Sequence, residues 1–243
     1  MSCFAEAMRL DLRRNALWMA LAALLIFLLA PLAGMFAQMT ARQTARAVEA
    51  ASALAGVAAL CGLFFPERER GVREAVAAQG VPLWTVWAAR AVWLLVALWV
   101  SSCAAALLLE AQGSEISRRM ALAGFANAAF TGGLAALCAA FSGSLALAAA
   151  LPSLWFAVDL CGLIPPRLTL FTDAFGLPGN KLPLFLAGLL LLALAVFVKT
   201  RRPWRARLLH RKGNFEGIPS SSTALLLGSV AFLSGFCRNL KKV

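Results

Sequence analysis

Glu67-Arg68-Glu69-Arg70-Gly71, continued by Arg73 and Glu74, is a dense alternation of charge in an otherwise apolar chain. Carboxylates and guanidiniums in such a run suit recognition of a complementary surface, where charge sets register and partner choice. An ordinary solvated loop held by local ion pairs has the same composition. The other chemistry-bearing residues are scattered. Asp159 reads as the only acid within or at the edge of an apolar run, where an ionisable residue marks a functional position. It is either a snorkelling carboxylate near the outer surface or a group at a substrate-release or dimer contact. Asn127 and Thr131 are four residues apart and share one helix face. They either pack within a bundle or line a path, as does Ser101 with Ser102. The six cysteines form no Cys-x-x-Cys pair, and the single histidine, His210, stands in a basic stretch. No metal or haem set and no Ser/His or paired-carboxylate constellation results. The Gly-x-x-x-x-Gly-Lys-Ser/Thr loop that cradles nucleotide phosphates does not occur, so this chain does not hydrolyse ATP by the usual motif.

The elements that must position these residues follow from hydropathy. The chain has 243 residues, 61% hydrophobic, and a formal net charge of +12. Windows 15–41, 50–66, 91–109, 120–158, 182–198 and 217–237 contain no Asp, Glu, Lys or Arg. A spanning helix needs roughly 20 apolar residues, so the sequence predicts an all-α, polytopic membrane protein. Six transmembrane helices are expected at about 15–39, 47–65, 90–109, 120–141, 144–164 and 182–198. The long fourth window divides at the turn-forming Ser142-Gly143-Ser144. The first run is longer than the apolar core of a cleaved signal. The last window begins with polar residues, and its apolar part, 224–236, is short enough to lie at the interface. The organisation is therefore a six-helix domain over 1–200 and a basic tail over 201–243.

Orientation follows from the basic residues of short loops. One side collects Arg9, Arg13, Arg14, Arg68, Arg70, Arg73, Arg90, the block Lys199–Lys212, and Arg238, Lys241 and Lys242. The other receives only Arg42, Arg46, Arg118, Arg119, Arg167 and Lys181. Both termini are thus expected in the cytoplasm. The positive excess is topological, facing anionic lipid headgroups, and signals no nucleic-acid partner. Trp18, Trp84, Trp87 and Trp204 fall near the predicted inner interface and Trp155 near the outer one. Phe4, Met8 and Leu12 recur every four residues, as in an amphipathic helix lying on the membrane before the first span. Pro66 suits the start, and Gly80 the end, of a short cytoplasmic helix between spans two and three.

In order and position, Glu67-Arg-Glu-Arg-Gly71, Glu74, Gly80-Val81 and a basic Arg90 resemble the signature loop of the type-2 permeases of ATP-binding-cassette (ABC) transporters. Gly80 stands where that family has Pro, Pro82 where Ser is common, and Val72 where Thr is usual. The ten-residue spacing to Arg90 is kept. The amphipathic arm, six spans and cytoplasmic termini extend the likeness over about 1–200, and the tail has no counterpart. The resemblance implies an exporter permease of the bacterial inner membrane that pairs with a second copy or a paralogue. It implies that Glu67, Arg68, Glu69, Arg70, Gly71, Arg73, Glu74 and Gly80 form a coupling helix docked on a separate cytoplasmic ATPase, which binds the ATP and Mg. Asn127, Thr131, Asp159 and Ser101 would then border the path or pack the helices around it. A haem-exporter-like permease of cytochrome c maturation, or a non-transport membrane protein such as an assembly factor or membrane enzyme, are the alternatives.

Overall fold

Six α-helices make up the described part of the chain, in a computed structural model that describes residues 11–34, 40–66, 80, 82–114, 118–165, 169–175 and 181–201. A π-helical turn, Leu12–Ala16, leads into α1, Leu17–Gly34. There follow α2, Ala41–Leu60; α3, Leu83–Ala111; α4, Arg118–Ser142; α5, Leu145–Leu160; and α6, Leu182–Arg201. No strand occurs among the described residues. All of them belong to the first of two units of the chain, which meet between Arg202 and Pro203. The expected coupling segment 67–79, the start of the amphipathic arm and the tail 202–243 lie outside the described residues.

Among the described residues three helices are long and apolar enough to cross a membrane: Leu83–Ala111, Arg119–Ser142 and Leu182–Arg201. Leu17–Leu29 and Leu145–Leu160 are shorter apolar helices. The second expected span behaves differently. Helix α2 starts six residues earlier than 47, directly after Thr40, and ends at Leu60 rather than at 65. It carries Arg42, Arg46 and Glu49, and its remaining residues are mostly small. The helix tolerates that composition because it is the core of the bundle, with most of its side chains buried.

Small residues let the helices around α2 approach closely. A Cβ on Gly56 would stand 2.1 Å from the Ala128 carbonyl oxygen, so α2 and α4 touch backbone to backbone. Gly188 meets the Ala129 backbone in the same way, joining α4 to α6. The Gly124-x3-Ala128-x3-Gly132 stripe is therefore a packing seam: Gly124 faces Val48 and Ser102, and Gly132 faces Gly56 and Leu60. Without a hydrophobic drive between helices in lipid, such close contact is what holds them together.

Burial is inverted relative to a water-soluble bundle. Val92, Val96, Val100 and Leu107 on α3, and Leu182, Leu186, Leu190 and Phe197 on α6, are exposed. Thr44, Glu49, Ser52, Arg90, Ser102, Asn127, Thr131 and Asp159 are inside. In hydrocarbon this is the stable arrangement, because every polar group must find a partner within the protein. The chain has the character of a membrane protein.

Candidate functional site

Two ionic clusters lie at opposite ends of the bundle, and the larger gathers two of the candidate pathway and packing residues, Asn127 and Asp159, with partners that local pattern does not indicate. Glu49 is the centre of that cluster. It lies in the third turn of α2, and its side chain is only 2% exposed. Lys181, just before α6, donates to Glu49 Oε1 at 2.9 Å and to Asn127 Oδ1 at 3.0 Å. Its third proton goes to the Leu170 carbonyl. An ammonium has three donors, and all three are used. Asn127 Nδ2 donates to the same Leu170 carbonyl at 2.8 Å, which fills both lone pairs of that oxygen.

The segment 169–175 enters the bundle here. Thr169, Leu170, Phe171, Thr172 and Ala174 are all buried. Three of its backbone amides, those of Leu170, Asp173 and Ala174, donate to side chains from the helices. The amides of Asp173 and Ala174 both donate to the Glu49 carboxylate at 3.2 Å. The Leu170 amide donates to Asp159 Oδ2, and the Thr169 hydroxyl donates to Asp159 Oδ1 at 2.7 Å. Phe171 packs against Phe156 with ring centroids 5.5 Å apart. This segment lies between α5 and α6 in the chain, and it is pinned inside the bundle.

Asp159 is therefore not a snorkelling interfacial carboxylate. It is fully buried and committed to the 169–175 segment. Nor is it the only acid inside: Glu49 is equally enclosed. The signal for Glu49 was present, since an acid at the third position of an expected span has to find a partner somewhere. That partner is 132 residues away, beyond any local pattern. Thr131 donates across the helix contact to the Ala53 carbonyl at 2.8 Å and back to the Asn127 carbonyl at 2.9 Å. Ser101 is buried on α3, while its neighbour Ser102 donates to the Ala121 carbonyl on α4 at 2.8 Å.

The second cluster surrounds Arg90. By sequence this residue is expected at the start of the third span, among the inner-surface charges. It lies in the second turn of α3 with no exposed side-chain surface. Its Nε and one terminal nitrogen donate to the two Asp11 oxygens at 3.0 and 2.6 Å, a side-on fork. The other terminal nitrogen donates to the Leu63 carbonyl at 2.6 Å. One guanidinium thus joins the approach to α1, the chain leaving α2 and the start of α3. Phe64 adds to this junction, edge-on to Trp87 with centroids 5.3 Å apart and with Lys199 Nζ 5.7 Å from its ring. Trp87, expected at the membrane interface, is buried in that contact. Of the expected coupling residues only Gly80 is described. It is exposed with φ of 66°, a left-handed backbone that glycine adopts without strain, two residues before Pro82.

Chemically, both clusters fix charges and satisfy backbone groups. Among the described residues no three His, Cys, Asp or Glu side chains gather as a metal ion would need. These features define an all-helical membrane protein with polar junctions at each end of its bundle. No family model, curated protein or solved structure matches the chain.

Proposed function

We propose that the chain is the transmembrane permease subunit of an ABC exporter, with six spans and both termini in the cytoplasm of a bacterial inner membrane. It pairs with a second copy or a paralogue to enclose the path. A separate ATPase, which carries the ATP and Mg, docks on residues 67–80. The observation that carries this proposal is the Arg90 junction. The charged loop connects the end of α2 to the start of α3, and Arg90 ties those two ends to each other and to Asp11 ahead of α1. A displacement delivered to the loop is then shared by three helices instead of being absorbed in one. That is the mechanical property a coupling element requires. The mixed charges Glu67, Arg68, Glu69, Arg70, Arg73 and Glu74 supply register on the partner, and Val72, Ala75 and Val76 supply a small apolar face.

The test is affinity purification of the full-length chain from its own cells in mild detergent, with mass spectrometry of what accompanies it. An ATPase bearing the phosphate-binding loop is expected. Glu67→Lys combined with Glu69→Lys should lower its recovery about tenfold or more, the scale of one or two lost charge pairs. Undiminished recovery in that double variant refutes the docking role. Recovery of no ATPase under any condition assigns the chain to a non-transport membrane protein instead.

A further inference from the structure

The bundle places charged groups at its Lys181 end around one seven-residue segment. Among the described residues, Glu49 on α2, Asn127 on α4, Asp159 on α5 and Lys181 before α6 all bond to the backbone of 169–175 or to each other. Lys181 connects the parts, since its ammonium touches the segment at Leu170, one acid and one amide at once. Buried ion pairs are poor static fasteners compared with apolar packing, and their best-attested use is to specify or switch a state. Through the middle of the bundle the helices meet at glycine and alanine contacts, whereas ionic contacts gather here and at the Arg90 junction. The seated segment also leaves one polar group unsatisfied: Thr172 Oγ1 is buried without a hydrogen-bond partner.

We propose that Lys181 is the key of an ionic latch, and that segment 169–175 is a displaceable plug which the latch seats inside the bundle. Seated, the plug fills the space between α2, α4 and α5 at this end. Withdrawal of the ammonium leaves the Glu49 carboxylate and the Leu170 carbonyl facing each other with no cation between them, and the segment leaves. The lysine suits the role: a compact charge on a flexible four-carbon stem moves without displacing a helix. Only the purpose of the latch, closure of a transport path, rests on the exporter reading. The latch itself is measured on the isolated chain, so it stands or falls separately from ATPase docking.

The experiment is cysteine accessibility on full-length protein in lipid nanodiscs, where both faces are open to reagent. Thr172→Cys is placed in a background with the native cysteines replaced by alanine, and its reaction with a membrane-impermeant maleimide is timed. With Lys181 present the thiol is protected. Lys181→Ala should speed labelling about tenfold or more, as expected for the loss of a charge-assisted buried contact. Glu49→Gln should speed it as well, because Glu49 holds the Asp173 and Ala174 amides. Methylammonium added to Lys181→Ala should restore protection, and tetramethylammonium, which has no N–H, should not. Ala135→Cys, fully buried on α4, is the control for general loosening. Fast labelling of Thr172→Cys with Lys181 intact overturns the latch. So does continued protection in Lys181→Ala, equal exposure of Ala135→Cys, or no response to methylammonium.

Discussion

Replacing Asp11 by Asn removes one charge from a pair that the bundle encloses almost completely. The Arg90 side chain is 0% exposed and that of Asp11 is 13% exposed. The carboxylate accepts through both oxygens, from Nε at 3.0 Å and a terminal nitrogen at 2.6 Å. An amide keeps one acceptor and turns an N–H toward the other donor. Breaking a fully buried pair by removing one partner costs about 3–5 kcal/mol. The residual exposure of Asp11 and the bond Arg90 keeps to the Leu63 carbonyl reduce this to about 2–3 kcal/mol. For a unit of this size that is a fall in melting temperature of roughly 5–10 °C. The assay is heat unfolding in detergent followed by circular dichroism, on Asp11→Asn, Arg90→Met and the double variant. Once Arg90→Met has removed the guanidinium, Asp11→Asn should cost almost nothing further, so the two effects are strongly non-additive. Additive losses, or a loss below about 0.5 kcal/mol for Asp11→Asn, the range of ordinary surface substitutions, would show that the junction carries no enclosed charge pair.

Gly56→Ala puts a methyl 2.1 Å from the Ala128 carbonyl oxygen, and backbone cannot step aside. Size-exclusion chromatography should show aggregation, or melting lowered by the equivalent of about 3 kcal/mol or more. Gly124→Ala meets only side-chain atoms at 3.1 Å and beyond, so its cost should be about 1 kcal/mol. Thr131→Val keeps the shape and removes the bond to the Ala53 carbonyl. Its loss, read by the same melting assay, should be near the roughly 0.6 kcal/mol typical of interhelical bonds in membranes. Gly80→Ala meets nothing within 4 Å but forces a left-handed backbone on a residue with a Cβ. The strain is about 1–2 kcal/mol and local, so bundle melting should hold while ATPase recovery falls.

Apolar runs carried most of the helix pattern into the sequence. The expected fourth span, 120–141, lies within Arg118–Ser142, and the break at Ser142-Gly143-Ser144 is a real turn with Gly143 at φ of 63°. The expected sixth, 182–198, differs only in running on to Arg201. The failures share one cause. Reading charge-free windows ends a helix at its first charge, which is correct only when that charge meets water. Arg42, Arg46 and Glu49 lie inside α2, and Arg90 lies a full turn inside α3. Two of these, Glu49 and Arg90, are answered by Lys181 and Asp11, which local periodicity does not relate to them. Asp159 is legible in the sequence because it stands alone at the edge of an apolar run. Its partners are the Thr169 hydroxyl and the Leu170 amide, ten and eleven residues on, and sequence pattern does not reveal which donors a loop leaves unpaired. Leu170, Phe171 and Ala174 make 169–175 apolar enough to bury, but the donors and acceptors that converge on its backbone come from residues distant in sequence.

The most direct test of the exporter reading is photo-crosslinking from the loop itself. A photoreactive amino acid replaces Val72 in the full-length chain, and intact cells are irradiated before purification and mass spectrometry. The account predicts an adduct with a protein that carries the Gly-x-x-x-x-Gly-Lys-Ser/Thr phosphate-binding loop, lost when Glu67→Lys and Glu69→Lys are introduced. Adducts formed only with lipid, or with proteins lacking that loop, would contradict it.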